Sequence, residues 1–201
     1  MVGLEKDILY LVSRVRCITE NQVEKVFGNK KRSNKKPLKR TLRKMCSDYT
    51  LRKFPCNIVY TNFKDNSYVY YLNGSDIAKE GNLTKVLLGS EIAIRLRNSG
   101  YDIVRFYRNA KIGGKKYDIF IEYIDPNKIR KQVLVEIYGD EKIRFSKYNT
   151  ICEDIENSTI PFFMVPNVII ISSKYQKNNQ YMNLEKIYVI DASLNKLFNY
   201  L

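Results

Sequence analysis

The apolar positions of the first half recur at helical intervals. Leu4, Ile8, Leu11, Val12 and Val15 form one stripe over residues 4–16 and predict a helix. Thr19-Glu20-Asn21-Gln22 is a Thr-x-x-Gln capping box, opening a short helix that carries Val23, Val26 and Phe27 and stops at Gly28. Leu38, Leu42 and Met45 repeat at i, i+4, i+7 and predict a third helix beginning at 34–36, with Ser33 as its cap and Pro37 in its first turn. The pattern then shortens. Asn57–Phe63 and Ser67–Leu72 are dense in Tyr and Val and are joined by Lys64-Asp65-Asn66, which predicts a β-hairpin. Helix, helix, helix, hairpin is the order of a winged helix-turn-helix, in which the third helix enters the major groove and the hairpin touches the flanking backbone.

A polar stretch from Gly74 onward separates this from a second pattern, dividing the chain into 1–73, a connector 74–82, and 83–201. Leu83–Asn98 carries Val86, Leu87, Ile92 and Leu96 on one side and ends before Gly100, as a helix does. Strand patterns follow at Asp102–Tyr107, Tyr117–Tyr123, Gln132–Tyr138 and Val168–Ser172, with a helix from about Glu141 to Glu156 between the last two. Lys186–Ile190 is a final strand, followed by a short helical turn. The run Val168-Ile169-Ile170-Ile171 fits a central strand covered on both faces. The expected class is α+β: a winged helix-turn-helix followed by a small α/β domain of order α-β-β-β-α-β.

Charge adds a partner to this outline. Among 201 residues, 35 Lys+Arg stand against 21 Asp+Glu, a net charge of +14 that points to a polyanion. Residues 1–75 account for +10 of it and 76–201 for +4. From Lys30 to Lys44 there are nine basic residues and no acid. With Leu38 at zero on a helical wheel, Leu42 and Met45 fall at roughly 40° and −20°, while Lys39, Arg43, Lys36 and Arg40 fall at roughly 100°, 140°, 160° and 200°. One face is core and the opposite face is cationic. Arg40 and Arg43 suit bidentate contacts to guanine; Lys35, Lys36, Lys39 and Lys44, with Lys64 of the hairpin, suit phosphates. About five neutralised phosphates would give a log–log salt slope of roughly −4 to −5. The expected partner is double-stranded DNA, and two copies of the chain, as a homodimer, would match a palindromic site.

Composition removes other classes. With no histidine, Ser-His-Asp and Cys-His hydrolases, zincins and histidine-cluster relaxases are excluded. Cys17, Cys46, Cys56 and Cys152 lie far apart with no Cys-x-x-Cys pair, which fits scattered small core residues better than a zinc site. The polar N-terminus is unlike a signal peptide and no apolar run approaches a membrane span, so the expectation is a cytoplasmic protein with no membrane contact.

Acids in the second half suggest one enzymatic chemistry. Metal-dependent nucleases of the restriction-endonuclease type place an Asp at the start of the second strand and Glu-x-Lys on the third, the carboxylates holding Mg²⁺ and the lysine positioning water. Asp118 opens one strand after Gly113-Gly114, Glu136 lies in Leu134-Val135-Glu136-Ile137-Tyr138, and Glu91 stands on the preceding helix as a further metal-binding candidate. Tyr138 occupies the lysine position, leaving Lys142 or Lys147 as displaced replacements. The other explanation of a Glu inside an apolar strand is a salt bridge to Arg144 or Lys147.

Several segments together resemble the replication-relaxation family of plasmids and integrative elements. They are Asp7–Val12, Ile18–Val23, Leu38-x-x-x-Leu42, Val69–Gly74, Asn98-Ser99-Gly100-Tyr101, Tyr117-Asp118, and Val135-Glu136 followed by Lys147-Tyr148. The resemblance implies a winged helix joined to a restriction-endonuclease-like domain, and DNA binding in replication, transfer or their regulation. The absent histidine and Tyr138 depart from a nicking enzyme. The expectation is therefore a DNA-binding protein of a plasmid, phage or integrative element with an inactive nuclease-like domain and no cofactor. The alternative is a Mg²⁺- or Mn²⁺-dependent endonuclease using Asp118 and Glu136. A ligand-sensing transcriptional regulator ranks last, because no Gly-rich phosphate loop is present.

Overall fold

The computed structural model describes residues 3–28, 36–76, 80–139, 141–173 and 186–201, with the side chains of 36, 37 and 80–82 left aside. The chain forms two compact units, Met1–Val59 with Phe63–Asn98, and Tyr60–Asn62 with Ser99–Leu201.

In the first unit, α1 (Leu4–Val15) buries Ile8, Leu11, Val12 and Val15, the stripe its spacing predicts. A three-residue strand that periodicity is too short to reveal, β1 (Cys17–Thr19), is buried throughout and leads into α2 (Glu20–Phe27). The capping box is formed. Thr19 Oγ1 accepts from the Gln22 amide at 3.1 Å, and the Thr19 amide donates to Gln22 Oε1 at 3.1 Å. α3 (Lys36–Ser47) buries Leu38, Leu42 and Met45.

The hairpin differs from its expectation. Its long arms are β2 (Leu51–Pro55) and β5 (Tyr68–Leu72), paired antiparallel from Leu51↔Leu72 to Pro55↔Tyr68. Between them β3 (Ile58–Tyr60) and β4 (Phe63–Asp65) form a smaller ladder that turns at 61–62, where Thr61 takes φ 50°, and not at Lys64–Asn66. Asp65 cannot serve as a loop residue because it is 6% exposed and fully engaged. It accepts from Thr19 Oγ1 at 2.5 Å, Asn21 Nδ2 at 3.0 Å, and the Ser67 amide and hydroxyl at 3.0 and 2.6 Å. β1 pairs with β5 on its other side, giving a three-stranded antiparallel sheet of order β1-β5-β2.

α4 (Glu80–Asn98) also belongs to the first unit, so the division falls after Asn98 and not at 74–82. Polar contacts explain why. Gln22 Nε2 donates to the Leu87 carbonyl at 2.9 Å, Ser90 Oγ donates to the Cys17 carbonyl at 2.6 Å, and Lys25 pairs with Glu91 at 2.7 Å.

The second unit is a five-stranded mixed sheet of order β10-β9-β8-β7-β6, built from β6 (Asp102–Ile112), β7 (Lys115–Ile124), β8 (Arg130–Tyr138), β9 (Asn167–Ser172) and β10 (Ile187–Ile190). β7 runs antiparallel to both neighbours, and β8, β9 and β10 are mutually parallel. The inner strand β9, between β8 and β10, buries Val168 to Ser172, as its apolar run predicts. Tyr117, Phe120, Leu134, Tyr148, Val168 and Ile170 form the core on one face.

The helix expected over 141–156 is broken. Residues 145–148 form a 3-10 turn, and only α5 (Ile151–Glu156) is α-helical. Lys115 Nζ donates to the Lys147 carbonyl at 2.8 Å, which takes that acceptor away from a helical ladder. The intervening Asn149 and Thr150 are weak helix formers. The cysteines are free: Cys17 and Cys56 are buried and Cys46 half-buried, but Cys152 is exposed and so is not core.

Replacing Asp65 by Ala removes the acceptor of four hydrogen bonds and leaves Thr19 and Ser67 without it. We expect a loss of about 2 kcal/mol, read as a lowered urea midpoint at unchanged slope.

Candidate functional site

The ladder between β7 and β8 ends at Ile119↔Val135, and residues 118 and 136 face each other one step beyond. Pairing stops there because the Asp118 side chain takes the role of a main-chain acceptor: the Ile137 amide donates to Asp118 Oδ2 at 2.7 Å. Glu136 is 4% exposed. Its Oε2 accepts from the Tyr148 hydroxyl at 2.6 Å, and its Oε1 is paired with the Lys147 ammonium. Lys147 Nζ also donates to the Lys116 carbonyl at 2.5 Å and lies 4.4 Å from the Tyr117 ring centre. Tyr138, at the lysine position of the Glu-x-Lys pattern, directs its hydroxyl to within 3.4 Å of that of Tyr148.

Of the two displaced lysines, Lys147 therefore reaches Glu136, while Lys142 is exposed and joins neither acid among the described residues. Arg144 is exposed and is not a partner of Glu136 either. Both explanations offered for Lys147, a salt bridge and a displaced catalytic lysine, put its ammonium at this place.

Glu91 belongs to the first unit. It is 2% exposed within the first unit and receives Lys25 Nζ at 2.7 Å, Arg95 Nε at 3.2 Å and Gln22 Nε2 at 3.2 Å. A carboxylate so engaged is held in an ion-pair network within its own unit. Among the described residues, no group of three or more His, Cys, Asp or Glu is placed to hold a metal ion.

An oxygen-only donor set does suit Mg²⁺ or Mn²⁺. The fit fails at the position itself, because the ammonium of Lys147 already lies against Glu136 Oε1 and the Lys116 carbonyl.

Around the acids the packing is tight. Lys115 Nζ pairs with Asp154 at 2.7 Å, and a Cβ on Gly113 (φ 53°) would come within 2.4 Å of the Asp154 Cα. That approach, which no composition signal reveals, requires glycine. A second buried acid, Glu122, was also missed. It is fully buried on β7 and paired with Arg130 and with Arg105 Nη1 at 3.3 Å.

On α3 the cations divide. Lys39 Nζ pairs with Glu20 at 2.6 Å and Lys44 Nζ with Glu5 at 2.8 Å, and these contacts raise both lysine pKa values. Arg40 and Arg43 are exposed and meet no carboxylate among the described residues. Lys64 on β4 is exposed. Lys35 lies outside the described residues, and Lys36 begins α3 with its side chain not described.

Tyr117 supplies a prediction. Its hydroxyl is fully buried with no hydrogen-bond partner among the described residues, and burial, then Asp154 and Tyr138, push its pKa up to about 12. The folded state holds this proton above the pH at which the unfolded chain releases it, so its contribution is complete below about pH 10 and is lost as pH rises toward about 12. Tyr117→Phe is expected to leave stability at pH 7 unchanged or slightly raised, and to flatten its fall between about pH 10 and 12, measured by urea melts across pH.

No family model and no curated relative matches the chain. Among solved structures, a repair endonuclease from Pyrococcus abyssi is similar over 64% of this chain and 54% of its own, at 11% sequence identity and a TM-score of 0.37. The chain thus spans about half the length of that structure. At so low a likeness, the architecture of the second unit rests on its own strand order and directions.

Proposed function

We propose that this chain is a double-stranded DNA-binding protein of a mobile element, acting in replication, transfer or their regulation. Its first unit serves as a winged helix-turn-helix and its second as a nuclease-like platform without cleavage activity. The family resemblance supplies the biological setting. Support for DNA binding comes from one observation above the others, the division of cations on α3. Leu38, Leu42 and Met45 hold the helix to its unit, while Arg40 and Arg43 project without a carboxylate among the described residues. The sheet order β1-β5-β2 behind three helices is consistent with the winged topology.

Within this reading the cations take different roles. Lys39 and Lys44 are engaged by Glu20 and Glu5 and orient the helix, so base reading falls to Arg40 and Arg43. Lys35, Lys36 and Lys64 remain for phosphates. Fluorescence anisotropy on duplex DNA under salt titration tests this. Arg40→Ala/Arg43→Ala should weaken binding at least tenfold and relax discrimination among duplex sequences, whereas Lys64→Ala should lower the log–log salt slope by about 1 and Lys44→Ala by less than about half a unit. Unchanged affinity and sequence preference in the arginine double variant would overturn the role of α3.

The endonuclease alternative draws on the placement of the Lys147 ammonium at Glu136. In that alternative Asp118 and Glu136 would hold Mg²⁺ or Mn²⁺ and Lys147 would take the lysine role. Supercoiled DNA incubated with Mn²⁺ decides between the two. We expect no nicking; nicking by the wild type but not by Asp118→Ala would reverse the order.

A further inference from the structure

We propose that the Lys147 ammonium is the resident cation at Glu136, which stands across the ladder from Asp118, and that it fills the place a divalent ion would need and closes it to Mg²⁺ and Mn²⁺. The proposal deepens the reading of the second unit as catalytically silent and rests on it, while owing nothing to DNA binding by α3.

Three features carry it. First, Lys147 Nζ is paired with Glu136 Oε1, donates to the Lys116 carbonyl at 2.5 Å, and lies 4.4 Å from the centre of the Tyr117 ring. Carboxylate and carbonyl oxygens are the donors a hard cation takes. Second, the remaining carboxylate oxygen of Glu136 is held by the Tyr148 hydroxyl at 2.6 Å, so consecutive residues of one 3-10 turn engage both oxygens. A divalent ion would have to strip that turn from the sheet. Third, Lys147 is itself mostly buried, its side chain 23% exposed, and the turn that carries it is fixed from behind by Lys115, which bonds the Lys147 carbonyl at 2.8 Å and Asp154 at 2.7 Å.

Mn²⁺ titration of the full chain tests this, with the free ion counted by its electron paramagnetic resonance signal and melting followed with and without metal. The wild type and Lys147→Arg should leave the free Mn²⁺ signal as in buffer and melt at the same temperature with metal. Lys147→Met should take up about one Mn²⁺ per chain and gain about 3 °C or more on adding it, a gain absent in Lys147→Met/Asp118→Asn. Lys147→Gln, which keeps a donor but drops the charge, runs beside it should the apolar variant not fold, and is expected to behave likewise. Mn²⁺ uptake by the wild type that Asp118→Asn abolishes would overturn the proposal, as would a folded Lys147→Met or Lys147→Gln that takes up none. Uptake by the wild type without DNA nicking would sink this inference alone; nicking by the wild type would sink the silent-platform reading as well.

Discussion

Glu136 imposes a demand that much of the second unit is built to meet. A carboxylate 4% exposed near the end of an apolar strand needs a cation and hydrogen-bond donors within its own surroundings, because water is too scarce there to hold its charge. The chain answers with Lys147 and Tyr148, neighbours on one short turn. Bringing both onto one carboxylate sets the 3-10 geometry of 145–148, and the Lys147 carbonyl is then left for Lys115. Lys115 in turn reaches Asp154 on α5, whose backbone approaches Gly113 too closely for any side chain. The β6–β7 turn, the end of β8 and the segment to α5 are thus tied together by a run of charges that begins at one glutamate.

The first unit uses the same device with different residues. Asp65 is the acceptor for Thr19, Thr19 caps the amide of Gln22, and Gln22 donates to Glu91, which Lys25 and Arg95 neutralise. The hairpin, α2 and α4 are far apart in the chain, yet this sequence of hydrogen bonds links them. Buried polar groups of this kind fix one arrangement of elements where apolar contacts alone would tolerate several. They also absorb charge. Cations at 25, 39, 44, 95, 105, 115, 130, 131 and 147 each have a carboxylate partner. The net +14 is therefore a poor count of what is free to meet a polyanion, and position matters more than the total.

What the sequence reveals follows from what repeats. α1, α2 and α3 follow from 3.6-residue periodicity and the capping box, and β7, β8 and β9 from dense apolar runs, because these signals are local. β1 is too short to show a period, and β2 mixes Arg52, Lys53 and Pro55 into an edge arm, so both escape. The extent of α4 is legible but its allegiance is not, since that depends on Gln22, Ser90 and Glu91 finding partners outside the helix. The same holds at the site. Asp118, Glu136 and Lys147 are recognisable as types, whereas the exclusion of Lys142, the departure of Glu91 and the contribution of Tyr148 are decided by three-dimensional placement.

The wheel of α3 gives physical sense to the division of its cations. Lys39 and Lys44 fall at roughly 100° and 240° from Leu38, the two borders of the polar face, while Arg43 and Arg40 fall between them at roughly 140° and 200°. Border positions lie beside neighbouring helices, and there the long flexible stem of lysine lets a compact ammonium reach Glu20 on one side and Glu5 on the other. Central positions face outward, where nothing in the unit answers them, and there the chain places guanidinium forks. Lysine at the borders fixes the roll of the helix with point charges that need little geometry. Arginine at the centre presents planar donors whose direction is then set by that roll. Exchanging the two kinds would keep the charge and lose the aim.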